Sequence, residues 1–397
     1  MNNCSRRRFL KSATTFLAAF AGREWLTPHL ACATPVLSGV RPFQMLVLGD
    51  SVMWGQGLKE EAKLYSLVHG WLQTQLADRV VSKPVVKAHS GATILPQEPC
   101  PQANGEVNIG TPTIRSQVEQ VAREYRSRPG GAETVDLILV NGGINDLGFP
   151  SILNILSGED SLKKGIRGSC GSMRALLDDI ASAFPQARVV VTNYYPIISE
   201  LTPRETLLDL AAAAFTGREY GRVREWIVKM IRRKGPHNWV NDSLFKKLVK
   251  RSRVWYEVSD ATLKEAVNDF NKRRPFIISS LTGPRALFAQ VDFKPEHAYS
   301  APDTLLWRVK QDLGNANSFL NLITEDHLFD ARLVKCSTPF DEVDQQSCQS
   351  PGRTGIDLLT CRLAAAGHPN EKGATKYAEA IINQLKTVLP RTSLVSD

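Results

Sequence analysis

A serine at position 51 follows the apolar run Phe43–Gly49 (FQMLVLG), within Gly49-Asp50-Ser51, and a histidine at 368 stands in Gly367-His368-Pro369-Asn370. A serine at the carboxyl end of a first parallel strand, entering a turn or helix, has an exposed hydroxyl and a free amide. That is the display a nucleophile requires. An imidazole can take the hydroxyl proton and later return it to a leaving group. Gly-Asp-Ser alone is a common tripeptide, and a helix-capping serine is its plainer reading. Two further stretches, His89-Ser90-Gly91-Ala92 and Asn141-Gly142-Gly143-Ile144-Asn145-Asp146, also close strand-like runs. A glycine lets backbone approach a reacting group closely, and an asparagine offers an amide donor without adding charge. A β-turn glycine and an Asx-turn are the structural alternatives at these positions.

The elements that must position these residues follow from the apolar pattern. Short runs at Phe43–Gly49, Val80–Ala88, Val135–Val140, Arg188–Thr192 and Ala286–Val291 are rich in Val, Leu and Ile, as strands buried on both faces are. Helical spacing covers Leu64–Leu76, Thr113–Arg126 and Met173–Phe184. Strands alternating with such helices predict parallel βαβ units in a three-layer α/β/α, flavodoxin-like domain. Its chemistry is expected at the carboxyl ends of the strands. Residues 201–274 interrupt the alternation as a helical insertion, with patterns at Thr206–Phe215, Tyr220–Arg233, Leu244–Tyr256 and Ala261–Lys272. Phe293 to Gly355 is polar and reads as long surface loops.

Placed on these elements, the chain resembles the SGNH (GDSL) hydrolase family, whose four blocks centre on Ser, Gly, Asn and His in that order. Ser51, Gly91, Asn145 and His368 fall on the blocks, the first three at strand ends, and Tyr194-Tyr195-Pro196 also resembles family sequence. The resemblance implies an exported bacterial serine esterase or lipase-like enzyme that needs no cofactor. It implies a Ser51 nucleophile, a His368 base, and an oxyanion hole from the amides of Ser51 and Gly91 with the side chain of Asn145. The chain departs from the pattern at one point. The last block is Asp-x-x-His in the family, and here Ala365 stands three residues before His368. Either a backbone carbonyl near Ala365 accepts the imidazole N–H, or a carboxylate from elsewhere does, Asp357 being nearest in sequence. Both would fix the tautomer, but a neutral carbonyl stabilises imidazolium less. A Ser–His dyad is the favoured expectation.

Of the remaining candidates, His89 could line the pocket, while His69, His237, His297 and His327 read as surface or loop residues. Trp54 either packs in the core, the preferred reading, or walls an acyl pocket. The same site would serve an acyltransferase if an alcohol rather than water resolved the acyl-enzyme. An alternative of another class is a non-catalytic protein that binds polysaccharide or anionic lipid. In the enzyme reading the partner is a small-molecule or polymer-borne ester.

Charge and cysteines bear on the compartment. The 397 residues carry 49 basic and 40 acidic side chains, a formal +9 that would by itself suggest a nucleic-acid partner. Residues 1–33 hold +4 of it, and Ser5-Arg6-Arg7-Arg8-Phe9-Leu10-Lys11 resembles a twin-arginine signal at every position. A mildly apolar stretch and Ala31-Cys32-Ala33 follow, so cleavage after Ala33 and a periplasmic or secreted domain at 34–397 are expected. The insertion at 201–274 holds 17 basic and 9 acidic residues, which makes the basic character regional and leaves no nucleic-acid signal. That stretch is either a solvated helical segment or a cap or patch facing anionic lipid or polysaccharide. Five cysteines remain beyond residue 33, Cys336–Cys348 being a plausible local pair, and no metal-ligand spacing is present.

Overall fold

The structure, a computed structural model, describes residues 41–95, 105–106, 112–207, 210–211, 242–274, 283–311, 322–337 and 362–389. The first 33 residues, Asp357, Tyr220–Arg233 and all cysteines but Cys170 and Cys336 lie outside this set.

Five parallel strands form the central sheet: β1 (Gln44–Leu48), β2 (Val85–Val86), β3 (Val135–Val140), β4 (Arg188–Thr192) and β5 (Ala286–Ala289), in the order β2-β1-β3-β4-β5. Met45 to Leu48 and all of β4 are buried, because helices cover both sides and leave no solvated face. Helices α1 (Ser51–Trp54), α2 (Leu64–Gln75), α3 (Ile114–Arg126), α4 (Ile144–Leu147), α5 (Phe149–Leu153), α6 (Glu159–Gly171), α7 (Met173–Ala183), α8 (Asp242–Arg273), α9 (Phe329–Ser337) and α10 (Glu371–Leu385) complete the layers. Helix α2 packs on α10, while α3, α7, α8 and α6 form the other layer. The strand order reverses beside β1, which opens a crevice at the carboxyl ends of β1 and β3. Among the described residues no helix is long and apolar enough to cross a membrane.

Four expectations need correction. The run Val80–Ala88 yields only a two-residue strand, because Pro84 has no N–H to give the ladder. Its flanks still follow β1 through single bonds, Ser82 N to Phe43 O at 2.9 Å and Lys87 N to Val47 O at 2.8 Å. Helix α6 is unforeseen, since its glycines and serines mask the inward row of Leu162, Ile166 and Cys170. Within the insertion, Leu244–Tyr256 and Ala261–Lys272 are one continuous helix, α8. The poor helix formers at its middle are satisfied in place: Thr262 Oγ1 donates to Val258 O, and Asp260 accepts from Asn193 Nδ2 at 2.9 Å. Finally, the stretch 293–355 is not all loop. It contains the antiparallel pair β6 (Val309–Gln311) and β7 (Leu322–Thr324), then α9.

Candidate active site

Asp50, not Ser51, caps helix α1: its carboxylate accepts from Val52 N at 2.9 Å. Ser51 is therefore the first helical residue, and it is buried. Asp50 is buried with no cation beside it among the described residues, so burial pushes its carboxyl up, and hydrogen bonds from Tyr194, Val52 and Asn141 oppose that. Tyr194 Oη donates to Oδ2 at 2.6 Å and Asn141 Nδ2 to Oδ1 at 2.7 Å, while Asn141 Oδ1 accepts from Asp50 N at 3.1 Å. One step back, the amide of Gln117 on α3 grips both backbone groups of Gly49, at 2.8 and 3.0 Å. Gly49 has φ +133°, and a Cβ there would lie 2.3 Å from Asn141 Oδ1, so only glycine lets the two strand ends close. Gln117 lies in no motif, and although Asn141 and Tyr194 stand in stretches that resemble family sequence, nothing in the sequence marks any of the three as a partner of the serine turn.

Two further strand ends carry the candidate oxyanion residues. Gly91, after β2, is in the left-handed region at φ +80°. Among the described residues neither the Ser51 nor the Gly91 N–H has a protein acceptor. Asn145, in α4 after β3, donates one amide hydrogen to Ala92 O at 2.9 Å and keeps the other. The adjacent Asp146 carboxylate accepts from Ile94 N at 3.0 Å and Leu95 N at 2.7 Å. The Gly91 and Asn145 loops are thus stitched into one unit. His89 is buried and spends Nδ1 on Ser90 O at 2.8 Å.

From 317 residues away, His368 Nε2 comes within 2.7 Å of Ser51 Oγ. For the serine to donate, the imidazole must carry its proton on Nδ1, an assignment drawn from the partners. Nδ1 is buried and makes no hydrogen bond of good geometry. The carbonyls of Ala365 and Ala366 face it and favour the protonated ring, yet burial outweighs them and brings the imidazole down to about 4. Ala365 itself is buried, and His368 N donates to its carbonyl at 3.0 Å. The His368 loop lies against the 304–307 segment through main-chain bonds, Trp307 N to His368 O at 2.8 Å and Gly367 N to Trp307 O at 2.9 Å. Asn370 then caps α10, accepting from Gly373 N at 3.1 Å.

Other histidines stand elsewhere. His327 meets Glu371 at 2.9 Å and the edge of Trp307, and His297 belongs to a short turn after Lys294. Trp54 is half-buried, with Lys63 Nζ 3.7 Å above its ring and its Nε1 bonded to Glu106 at 2.9 Å. Cys170 is a buried free thiol, pushed up to about 12 by burial. Among the described residues no group of three or more His, Cys, Asp or Glu side chains could hold a metal ion. A hydroxyl, a neutral imidazole that can receive its proton, and unspent N–H donors on neighbouring loops are the parts that acyl transfer requires.

Residues 47–237 match the model of the GDSL-like Lipase/Acylhydrolase family. Among solved structures, the phospholipase A1 of Streptomyces albidoflavus NA297 is 11% identical over 87% of this chain and 100% of that one, with a TM-score of 0.42. The extracellular lipase of Streptomyces rimosus is 13% identical over 86% and 99%, with a TM-score of 0.41. Est24, a carbohydrate acetylesterase from Sinorhizobium meliloti, is 14% identical over 62% and 84%, with a TM-score of 0.29. No curated protein matches the sequence. Residues 47–237 of the chain thus carry the sequence pattern of the GDSL-like lipase/acylhydrolase family, whose members are serine ester hydrolases.

Proposed function

We propose that Ser51 is the nucleophile and His368 the general base of an exported carboxylic ester hydrolase, with an oxyanion hole made by the Ser51 and Gly91 amides and Asn145 Nδ2. The observation that carries this reading is the 2.7 Å approach of His368 Nε2 to Ser51 Oγ. Neutral His368 takes the serine proton as Oγ bonds to the ester carbonyl carbon, and the carbonyl π pair moves to oxygen. The three N–H donors receive that oxyanion. As the oxyanion collapses, the imidazolium returns its proton to the departing alkoxide, and the alcohol leaves an acyl-serine. Water, deprotonated by the same imidazole, then attacks the acyl carbon, and the carboxylic acid departs as Ser51 regains its proton. The bond from Asn145 to Ala92 O supports its place in the hole, because it fixes the amide plane and aims the second hydrogen.

The group that orients His368 is main chain rather than a side-chain carboxylate in this reading, so the pair works as a dyad. Lipid esters, acetylated polysaccharide and small esters all fit the chemistry, and the names of the structural neighbours span lipases and a carbohydrate acetylesterase. Export rests on the Ser5–Lys11 run. Its expected consequence is that Arg6→Lys with Arg7→Lys keeps the protein in the cytoplasm on fractionation.

The test is a p-nitrophenyl ester series of rising acyl length, run with the 34–397 protein and its Ser51→Ala variant, beside labelling by an organophosphonate. One label per chain on Ser51, and hydrolysis lost with that hydroxyl, is the expected outcome. Unlabelled, folded protein would end the assignment. A preference for acetyl points to deacetylation, and a preference for long chains to a lipase-like site.

A further inference from the structure

Apart from the reacting residues, the described region buries one guanidinium and two carboxylates together. Arg332, in α9, has no exposed side-chain surface, and Glu106 and Asp326 are buried beside it. Its Nη1 donates to Glu106 Oε1 at 2.6 Å and Asp326 Oδ1 at 3.1 Å. Its Nη2 donates to Asp326 Oδ2 at 2.7 Å and Thr324 Oγ1 at 3.0 Å. Nη2 and Nε also reach the carbonyl of Arg362, at 3.1 and 3.3 Å. Such a cluster is costly to bury, and replacing it with apolar side chains is often neutral or stabilising, so stability alone does not explain it.

Its connections supply a reason. Glu106 does not end with Arg332: it also accepts from Trp54 Nε1 at 2.9 Å, Gln56 Nε2 at 2.9 Å and Gly57 N at 3.1 Å. Those three residues follow Ser51 directly, through α1 and its turn. The neighbouring Gly105 carbonyl accepts from Ser90 N at 3.0 Å, next to Gly91. On the other side, Arg362 opens the stretch that leads to Ala365 and His368. A single planar fork therefore spans the serine turn and the histidine loop, which are otherwise far apart in the chain. Arg332 is suited to this because its fork holds several acceptors at fixed angles, where lysine offers one point charge.

We propose that Arg332, with Glu106 and Asp326, is a positioning residue that holds the Ser51 turn and the His368 loop in register, in the place of a carboxylate bonded directly to the histidine. The proposal rests on the Ser51–His368 reading. The role proposed for the three side chains is to hold these segments, not to contact the ester.

Active-site titration with an organophosphonate counts folded, competent sites, so turnover can be read per site and separated from loss of fold. For Arg332→Lys, kcat per titrated site is expected to fall about tenfold or more, with KM within about twofold of the parent. A melting temperature that falls while kcat per site stays within about twofold would show a merely structural cluster and overturn the proposal. Glu106→Gln cuts the link on the serine side without a change of shape, and the same fall in kcat is expected. If neither folds, Trp54→Phe removes one hydrogen bond and no charge. Its kcat per site should fall about threefold at constant KM, and an unchanged value overturns the proposal. Failure of the underlying reading looks different: titration itself would then find no reactive Ser51.

Discussion

The two halves of the reacting pair are held by different means. On the serine side, three buried side chains from separate parts of the chain converge on Gly49 and Asp50: Gln117, Asn141 and Tyr194 bond directly to that turn. On the histidine side, the loop is bonded main chain to main chain against residues 304–307, and Nδ1 is left without a good partner. A nucleophile must stand still while its neighbours change charge. A base must reach two positions, the serine oxygen and the leaving group, and a loop bonded through its backbone leaves the ring freer than a carboxylate clamp. The proposed dyad thus sets a turn held by buried side chains against a histidine loop held through its main chain.

The comparison breaks most plainly at the reacting atoms. Ser51→Ala and His368→Ala should each lower kcat by roughly 10⁴–10⁶, and the double variant should lose little more than either alone, because the two act as a unit. Additive losses in ester hydrolysis assays would mean that they work separately. Next is Asn145→Ala, expected to cost on the order of 10²–10³ in kcat with little change in KM, since the donor matters in the transition state. Equal losses in binding and turnover would place its amide on the ground-state ester instead.

The histidine half is sharpened by pH. With its imidazole at about 4, His368 stays neutral well below the ordinary range. At pH 5 about nine tenths of it would be a competent base, against roughly 3% for an unperturbed histidine near 6.5. The acid limb of kcat/KM should therefore fall near pH 4, and a limb near 6.5 would contradict the burial of the ring. The stability sign follows. Between about 4 and 6.5 the unfolded chain binds a proton that the native His368 does not, so this group adds stability as pH rises through that window and none beyond it. Chemical denaturation at pH 4.5 and 7 reads the difference.

A smaller effect tests the serine half. Tyr194→Phe removes one donor from the buried Asp50 and should destabilise by about 1–3 kcal/mol, with kcat several-fold lower. Unchanged denaturation midpoint and kcat would show that Asp50 does not need it. The smallest effect belongs to Asp357→Asn, for which turnover within about twofold is expected of a dyad; a fall approaching that of His368→Ala would make Asp357 the third member.

Much of the site was legible before the fold. Ser51, Gly91 and Asn145 stand out because glycine-containing blocks after apolar runs mark strand ends, where parallel sheets place chemistry, and His368 because its block resembles the family's last one. What surrounds them was not. Gln117 sits mid-helix among ordinary polar residues, and Glu106 and Arg332 lie 226 positions apart. Helix α6 is masked in the sequence by its glycines and serines, and the helical pattern of α8 breaks at Ser259 and Asp260, poor helix formers whose compensation comes from tertiary and back-bonded partners. Pro84 shortens β2 because it has no N–H to give the ladder.

By itself the sequence determined the alternation of strands and helices, the order of the four blocks and the absence of an aspartate before His368, because periodicity and residue chemistry are local properties. Only the tertiary structure decided that Nε2 meets Ser51 Oγ, that Nδ1 stands without a carboxylate among the described residues, and that Arg332 bonds both Glu106 and the Arg362 carbonyl. Those outcomes depend on burial and on hydrogen bonds between distant segments, and such terms acquire values only once the chain has closed around them.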